Sequence, residues 1–328
     1  MRAALVRQWF LCVLAAALCG GLLAGCYGPQ SLVATFLRVV HPSWTTIIVL
    51  FLMSFSLDTS RLREALLHPQ AVLWGTIVNL GLTPLVAWPI AGWQARPDFS
   101  LGLMIAAIAP CTLATASVFT RRAGGNDAIS LLVTLVTNVA CVIVSPLWLA
   151  VILQSNTRVE LTGVVSQLVY CVLLPTVIGQ LAQWPRSGAA ISIRYRKVMN
   201  TAAQWLVLLL VLMAATRGGV MLRHQPAGPS AIALAGLIAS CIVVHLASLW
   251  LGWMGAATMR ASKETAIAVA LSASQKTLPI GILMATHPLV VRDDAPFITF
   301  PLLAFHAGQL LIDAMLADRW AAQQRSTT

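Results

Sequence analysis

Charge is what this sequence has least of. Only 9% of its 328 residues are Asp, Glu, Lys or Arg, while 59% are hydrophobic, whereas a soluble domain carries about 25% charged residues. That shortage excludes an ordinary soluble domain and identifies an integral membrane protein. Acidic residues are the scarcer sign, 10 against 21 basic ones. The net charge of +11 does not point to nucleic acid, because the basic residues are scattered between apolar runs. Such scatter marks topology determinants, not a binding patch. Cys-x-x-Cys pairs are absent. All seven cysteines (12, 19, 26, 111, 141, 171 and 241) fall in apolar stretches, so neither a disulfide framework nor a zinc site is expected. HExxH, Walker A and GxSxG patterns are missing too, and no triad follows from spacing. The chain does not read as an enzyme, and no organic cofactor is expected.

What is present is a series of long apolar runs. Ten can be counted, at about 9–26, 43–57, 71–93, 100–122, 127–153, 161–183, 198–220, 230–256, 264–286 and 296–317. With the N-terminus in the cytoplasm, 14 of the 21 basic residues fall on the inner side and six on the outer, with Lys276 left inside the membrane. That asymmetry predicts ten spans with both termini cytoplasmic, in a bacterial inner membrane. The first run admits a second reading. Its basic start, apolar middle and Leu23-Ala24-Gly25-Cys26 have the form of a lipoprotein-type signal, whose cleavage would remove residues 1–25 and leave nine spans.

Two runs are interrupted. In 262–288, apolar arms at 266–271 and 280–285 flank Ser272-Ala273-Ser274-Gln275-Lys276-Thr277, followed by Leu278-Pro279. Proline lacks a backbone donor, so the helix should break there. Such a break survives in hydrocarbon only against protein or a water-filled cavity. A lysine at that depth costs roughly 2.5–3.5 kcal/mol on insertion scales. Lys276 therefore reads as a counter-charge to an anionic substrate or a stand-in for a cation, as a proton switch, or as a structural donor to the freed carbonyls. The fourth run is broken as well, by Pro110-Cys111-Thr112 and the small polar residues Thr115, Ser117 and Thr120. Ten spans divide into two fives, of opposite topology if repeated in tandem, and the fourth and ninth spans then correspond. Paired Pro-interrupted spans are the signature of an inverted-repeat secondary transporter. The repeats are expected at about 1–155 and 156–328, forming one transmembrane unit.

Three stretches carry a family resemblance. They are FLMSFSLDTSRLREALLHPQAVLWGTIVNLGLTPLVAWPI, APCTLATASVFTRRAGGNDAISLLVTLVTNVACVIVSPLW and SASQKTLPIGILMA. In order and spacing they resemble the second to fifth and the ninth spans of the bile acid:sodium symporter family, in its SBF-like branch. The resemblance implies a core domain around crossing spans 4 and 9 and a panel of spans 1, 2, 6 and 7. It also implies coupling of sodium to a small organic anion. Ser130 and Thr134 fall where fifth-span hydroxyls of the family serve one sodium. Ser117 takes the place of an asparagine and Ala116 that of a serine. Asn79 stands at an amide position tied to a second sodium, and Gln275 lies in the ninth-span crossover. These five polar residues are the candidate sodium ligands, of the hard oxygen type a small cation prefers. The departure is Ala270, which stands where the symporters have a shared glutamate. Lys276 brings positive charge into the crossover, so one sodium at most, proton coupling or uncoupled transport is expected.

Lys276, Cys111, Thr112, Thr277 and Asn138 are the candidate substrate residues. Ser130, Thr134 and Asn138 are spaced by single turns and share a helix face, where back-bonding to the i−4 carbonyl is the alternative use of the hydroxyls. Cys111 is a candidate soft ligand for a metalloid or else a small packing residue. His245 and His306 read as neutral rings bonded to carbonyls, and Asp313 as interfacial. The expected fold is all-α and polytopic. The expected function is secondary transport of an organic anion, a carboxylate or sulfonate with apolar bulk, by alternating access. The alternatives are a metalloid exporter and a non-transporting membrane sensor or scaffold. The expected partners are the lipid bilayer, the anion, and sodium or a proton.

Overall fold

The computed structural model describes residues 9–325 except 58, 114, 154–160, 226–227, 289 and 291–295. Arg2, Arg7, Arg158 and Arg292 of the orientation count, and the basic start of the signal-like segment, lie outside the described residues. Among those described, every regular element is a helix. They are α1 (Trp9–Tyr27), α2 (Gln30–Val39), α3 (Pro42–Phe55), α4 (Thr59–Ala65), α5 (Pro69–Ile77), α6 (Thr83–Gly92), α7 (Pro97–Ile108), α8 (Thr115–Arg122) and α9 (Asp127–Leu153). There follow α10 (Leu161–Leu168), α11 (Leu174–Leu181), α12 (Arg186–His224), α13 (Ala231–Thr258), α14 (Lys263–Ser274), α15 (Leu278–Ala285) and α16 (Thr299–Arg325). A single π-helical turn joins α5 to α6 (Val78–Leu82) and another joins α10 to α11 (Val169–Leu173).

Eight helical stretches are long and apolar enough to cross a membrane, nine if α2 and α3, bent by 48°, count as one. The run expected at 43–57 is thus the second arm of a bent pair, entered at Pro42 after the extended Val40 and His41. The run expected at 100–122 is absent from that count because its break leaves α7 with only 12 residues.

The helices pack in two groups. In the first, α1 lies along α12, and α3 packs against α11 and α12. The α1–α12 contact is backbone to backbone. A Cβ at Gly25 would stand 2.2 Å from the Thr216 carbonyl oxygen, so only glycine permits that approach. In the second group, α14 is enclosed by α5, α9 and α13, and α16 lies across α7 and α13. From Thr265 to Ala285 the described chain is buried without interruption. A helix apolar on every side is the kind that fills such a centre. Its alanines allow close neighbours: a Cβ at Gly252 of α13 would sit 2.9 Å from the Ala270 Cα. The broken ninth run is therefore the middle of the molecule.

Candidate functional site

Both interruptions are short extended segments, and they touch. Ala109 (φ −65°, ψ 146°) ends α7 in the conformation a following proline favours. Gln275 (ψ 141°) and Thr277 (ψ 126°) are extended between α14 and α15. Pro279 does not sit at the break, as the sequence suggested, but in the first turn of α15, where a missing N–H costs nothing. The Thr277 N–H donates to the Pro110 carbonyl at 2.9 Å. The two broken helices thus meet at their breaks.

Lys276 and Asn79 hold the second break. Lys276 is 3% exposed, and its ammonium donates to the Asn79 carbonyl, to Asn79 Oδ1 (3.3 Å) and to the Ala109 carbonyl (2.9 Å). The Asn79 carbonyl is free for a local reason. The π turn directs the Thr83 N–H to Val78, and residue 84 is a proline with no N–H to offer. Asn79 Nδ2 in turn donates to the carbonyls of Ser272, Ala273 and Gln275 at 3.0–3.1 Å. The oxygens a cation would seek here are already taken by N–H donors.

The first break is capped from α9. Asn138 Nδ2 donates to Cys111 O (2.9 Å), Ser145 to Ile108 O (2.8 Å), and Thr137 Oγ1 accepts from the Cys111 N–H (3.3 Å). Thr134 back-bonds to Ser130 O at 2.8 Å and reaches Cys111 Sγ at 3.3 Å. Ser130 Oγ and Asn138 Oδ1 are buried with no partner among the described residues. Ser117 lies buried in the first turn of α8. Cys111 is fully buried and faces Thr134.

Three residues that sequence reasoning missed or misplaced complete the centre. Asp313, expected at the interface, is fully buried instead, because α16 runs through the core and both its oxygens find donors there. It pairs with His245 Nε2 at 3.0 Å and accepts from Gln275 Nε2 at 2.7 Å. His245 Nδ1 also faces the Ser274 carbonyl (3.3 Å), as expected for that ring. Gln275 Oε1 accepts from Thr115 (2.7 Å) and Thr112 (3.3 Å). Gln309 pairs with the Lys276 peptide like a neighbouring strand, accepting its N–H and donating to its carbonyl, both at 2.8 Å. His306 lies against the Lys276 backbone carbonyl, the kind of neighbour expected for it, and also meets Gln309 Nε2 at Nδ1 (3.1 Å). The signal was present as a stripe, His306, Gln309 and Asp313, on one face of an otherwise apolar run.

The crossover faces the other helix group across a narrow cleft of about 30 Å³. Phe10, Met53 and Val207 line one wall, and Thr112, Thr277 and His306 the other. Lys276 and Thr277 also border a smaller void of about 10 Å³ beside His306. Of the ten residues singled out, Asn79, Cys111, Thr112, Thr134, Asn138, Gln275, Lys276 and Thr277 form one hydrogen-bonded assembly around the two breaks.

A helical chain whose two discontinuous helices meet at a buried polar centre has the architecture of a membrane transporter. The particular family follows from comparison. The chain belongs to the SBF-like CPA transporter family, whose description matches residues 8–322. It is 25% identical over 263 residues to the probable sodium/metabolite cotransporter BASS4, chloroplastic, of Arabidopsis thaliana, a match covering 78% of this chain and 60% of that protein. It is 27% identical over 314 residues to the uncharacterized protein PA2026 of Pseudomonas aeruginosa (89% and 90% covered). It is 24% identical over 279 residues to sodium/bile acid cotransporter 7-A of Xenopus laevis (82% and 78% covered). The chain spans about 60% of the length of the chloroplast relative.

Proposed function

We propose that this protein is a secondary transporter of a small organic anion that works by alternating access across the inner membrane, both termini facing the cytoplasm. In this reading the broken fourth run counts as one span. Ten spans then form two inverted five-helix repeats, about 1–155 and 156–328. One observation carries the reading: the crossing of the two breaks opens onto a cleft between two separately packed helix groups. Relative motion of the groups would expose that cleft to either side of the membrane. The names of the Xenopus and Arabidopsis relatives support sodium-linked transport of bile acids or metabolites.

Lys276 is read as a tethered replacement for a cation. Its ammonium and the Asn79 amide occupy the crossover oxygens, so sodium does not fit there. The unpartnered Ser130 hydroxyl is the hard oxygen type a small cation prefers, and Thr134, one turn on, and Ser117 are the further candidate ligands. Asn138, two turns from Ser130, is too far along α9 to share that ion. The metalloid reading loses support, since Cys111 is bonded to Thr134 and is not part of the cleft lining. The test is uptake of labelled taurocholate into proteoliposomes of the full chain, with a sodium or a proton gradient imposed separately. Accumulation above protein-free vesicles is expected. Equal uptake with and without protein, for taurocholate and for a panel of smaller carboxylates and sulfonates, would sink the reading.

A further inference from the structure

His306 of α16 is 6% exposed and borders both the cleft and the void beside Lys276. Its protonation pattern follows from its neighbours. Gln309 cannot be turned around, because its Oε1 accepts the Lys276 N–H and its Nε2 donates to the Lys276 carbonyl. The second hydrogen on that amide nitrogen therefore points at His306 Nδ1. An amide nitrogen does not accept, so Nδ1 must supply the lone pair and a neutral ring carries its hydrogen on Nε2. The ring also lies against the Lys276 carbonyl, which accepts from Gln309 as well, but a hydrogen on Nδ1 would face the Gln309 N–H at 3.1 Å, donor against donor. Nε2 has no partner among the described residues. The result is a buried N–H donor at the wall of the cleft, with nothing to donate to.

Leaving a buried donor unmade is costly, so its persistence calls for a visiting acceptor. The surroundings say which kind. Thr277 borders the same cleft, as do Thr112 and Thr115, whose hydroxyls are turned to Gln275 Oε1. The N-terminus of α15 opens there at Thr277 and Pro279, bringing the positive end of a helix dipole. The facing wall carries Phe10, Met53 and Val207, with Gln204 as its one polar side chain among the described residues. The His306 donor and a helix N-terminus on one wall, against a largely apolar wall on the other, suit an anionic oxygen on an apolar body. We propose that His306 Nε2–H is the hydrogen-bond donor that recognises a carboxylate or sulfonate oxygen of the substrate, with Gln309 as the positioning residue that fixes its tautomer. This rests on the transport reading above and names the contact that reading leaves open. Lys276 does not fill the role, since its ammonium is turned to Asn79 and Ala109.

The test is taurocholate and benzenesulfonate binding to the purified full-length protein by isothermal titration, with thermal unfolding as a folding check. His306→Phe keeps a planar ring without the donor and should weaken binding about 10–100-fold. His306→Gln restores an N–H and should stay within about threefold of wild type. Gln309→Met removes the group that sets the tautomer and should weaken binding while leaving His306 in place. Wild-type affinity in folded His306→Phe would overturn the proposal and leave the transport reading intact. Equal losses in His306→Phe and His306→Gln would also overturn it, by showing that ring shape and not the donor matters. If wild type binds neither probe, the substrate class itself is wrong and the proposal falls with it.

Discussion

Replacing Lys276 by alanine separates the two things its ammonium does. It neutralises nothing of formal charge; it satisfies carbonyl oxygens, those of Asn79 and Ala109, and the Asn79 side-chain oxygen. Removing it strands two backbone carbonyls at about 1–3 kcal/mol each. Against that stands the relief of an intramembrane cation, about 2.5–3.5 kcal/mol on insertion scales. The variant should therefore lose no more than about 3 kcal/mol and still fold. Its vacated oxygens then form the set a small hard cation seeks. Sodium at a hundred times its dissociation constant would add about 2.7 kcal/mol, enough to restore most of the loss. The assay is thermal unfolding followed by the intrinsic fluorescence of the 11 tryptophans, in sodium chloride and in choline chloride at equal ionic strength. Sodium should stabilise Lys276→Ala more than wild type. Equal responses of the two proteins, or an indifferent variant, would refute the substitution of ammonium for cation.

Asn79→Leu strands the carbonyls of Ser272, Ala273 and Gln275 together and should cost about 3 kcal/mol or more in thermal unfolding. Asn79→Asp keeps an acceptor for Lys276 but no donor, and should not recover that loss. Asp313→Asn keeps one acceptor oxygen and the side-chain shape, so it should be milder than Asp313→Leu, which orphans His245 and Gln275 at once. The reverse order in a denaturation series would remove Asp313 from the network. Gly25→Leu drives a Cβ into the Thr216 carbonyl and should part α1 from α12, seen as faster proteolysis of the α1–α2 link.

The breaks were legible in the sequence because proline and polar residues inside an apolar run leave few alternatives. The arms at 266–271 and 280–285 fall inside α14 and α15, and Ser272–Ser274 extended the first arm by one turn instead of joining the gap. Pro279 misled by its position: proline marks a helix start as well as a stop. The π turn at Asn79 was not legible, since the one-residue phase shift it introduces leaves no mark in a run that is apolar on every side. Asp313 was misread because five residues further on stands Asp318, which pairs with Arg122 near the helix end, and proximity in sequence suggested a shared environment. Depth depended on which face of α16 the carboxylate occupies, and the stripe with His306 and Gln309 carried that information.

A diffusible cation and a tethered one are not equivalent in a transporter. An ion that binds and leaves adds its binding free energy to one conformation and removes it from the other, and this difference shifts the population. An ammonium fixed to the chain contributes whether or not the substrate is present, so while Lys276 keeps its proton it stabilises the crossover without coupling it to any gradient. The same logic explains the satisfied carbonyls around it. Where the helix breaks in a sodium-driven site, the freed oxygens must be left to an ion; here Lys276, Asn79 and Gln309 have taken them. Any ion that drives this protein must therefore act through groups that remain open to exchange. On α9, beside the first break, the Ser130 hydroxyl is buried without a partner among the described residues and is such a group.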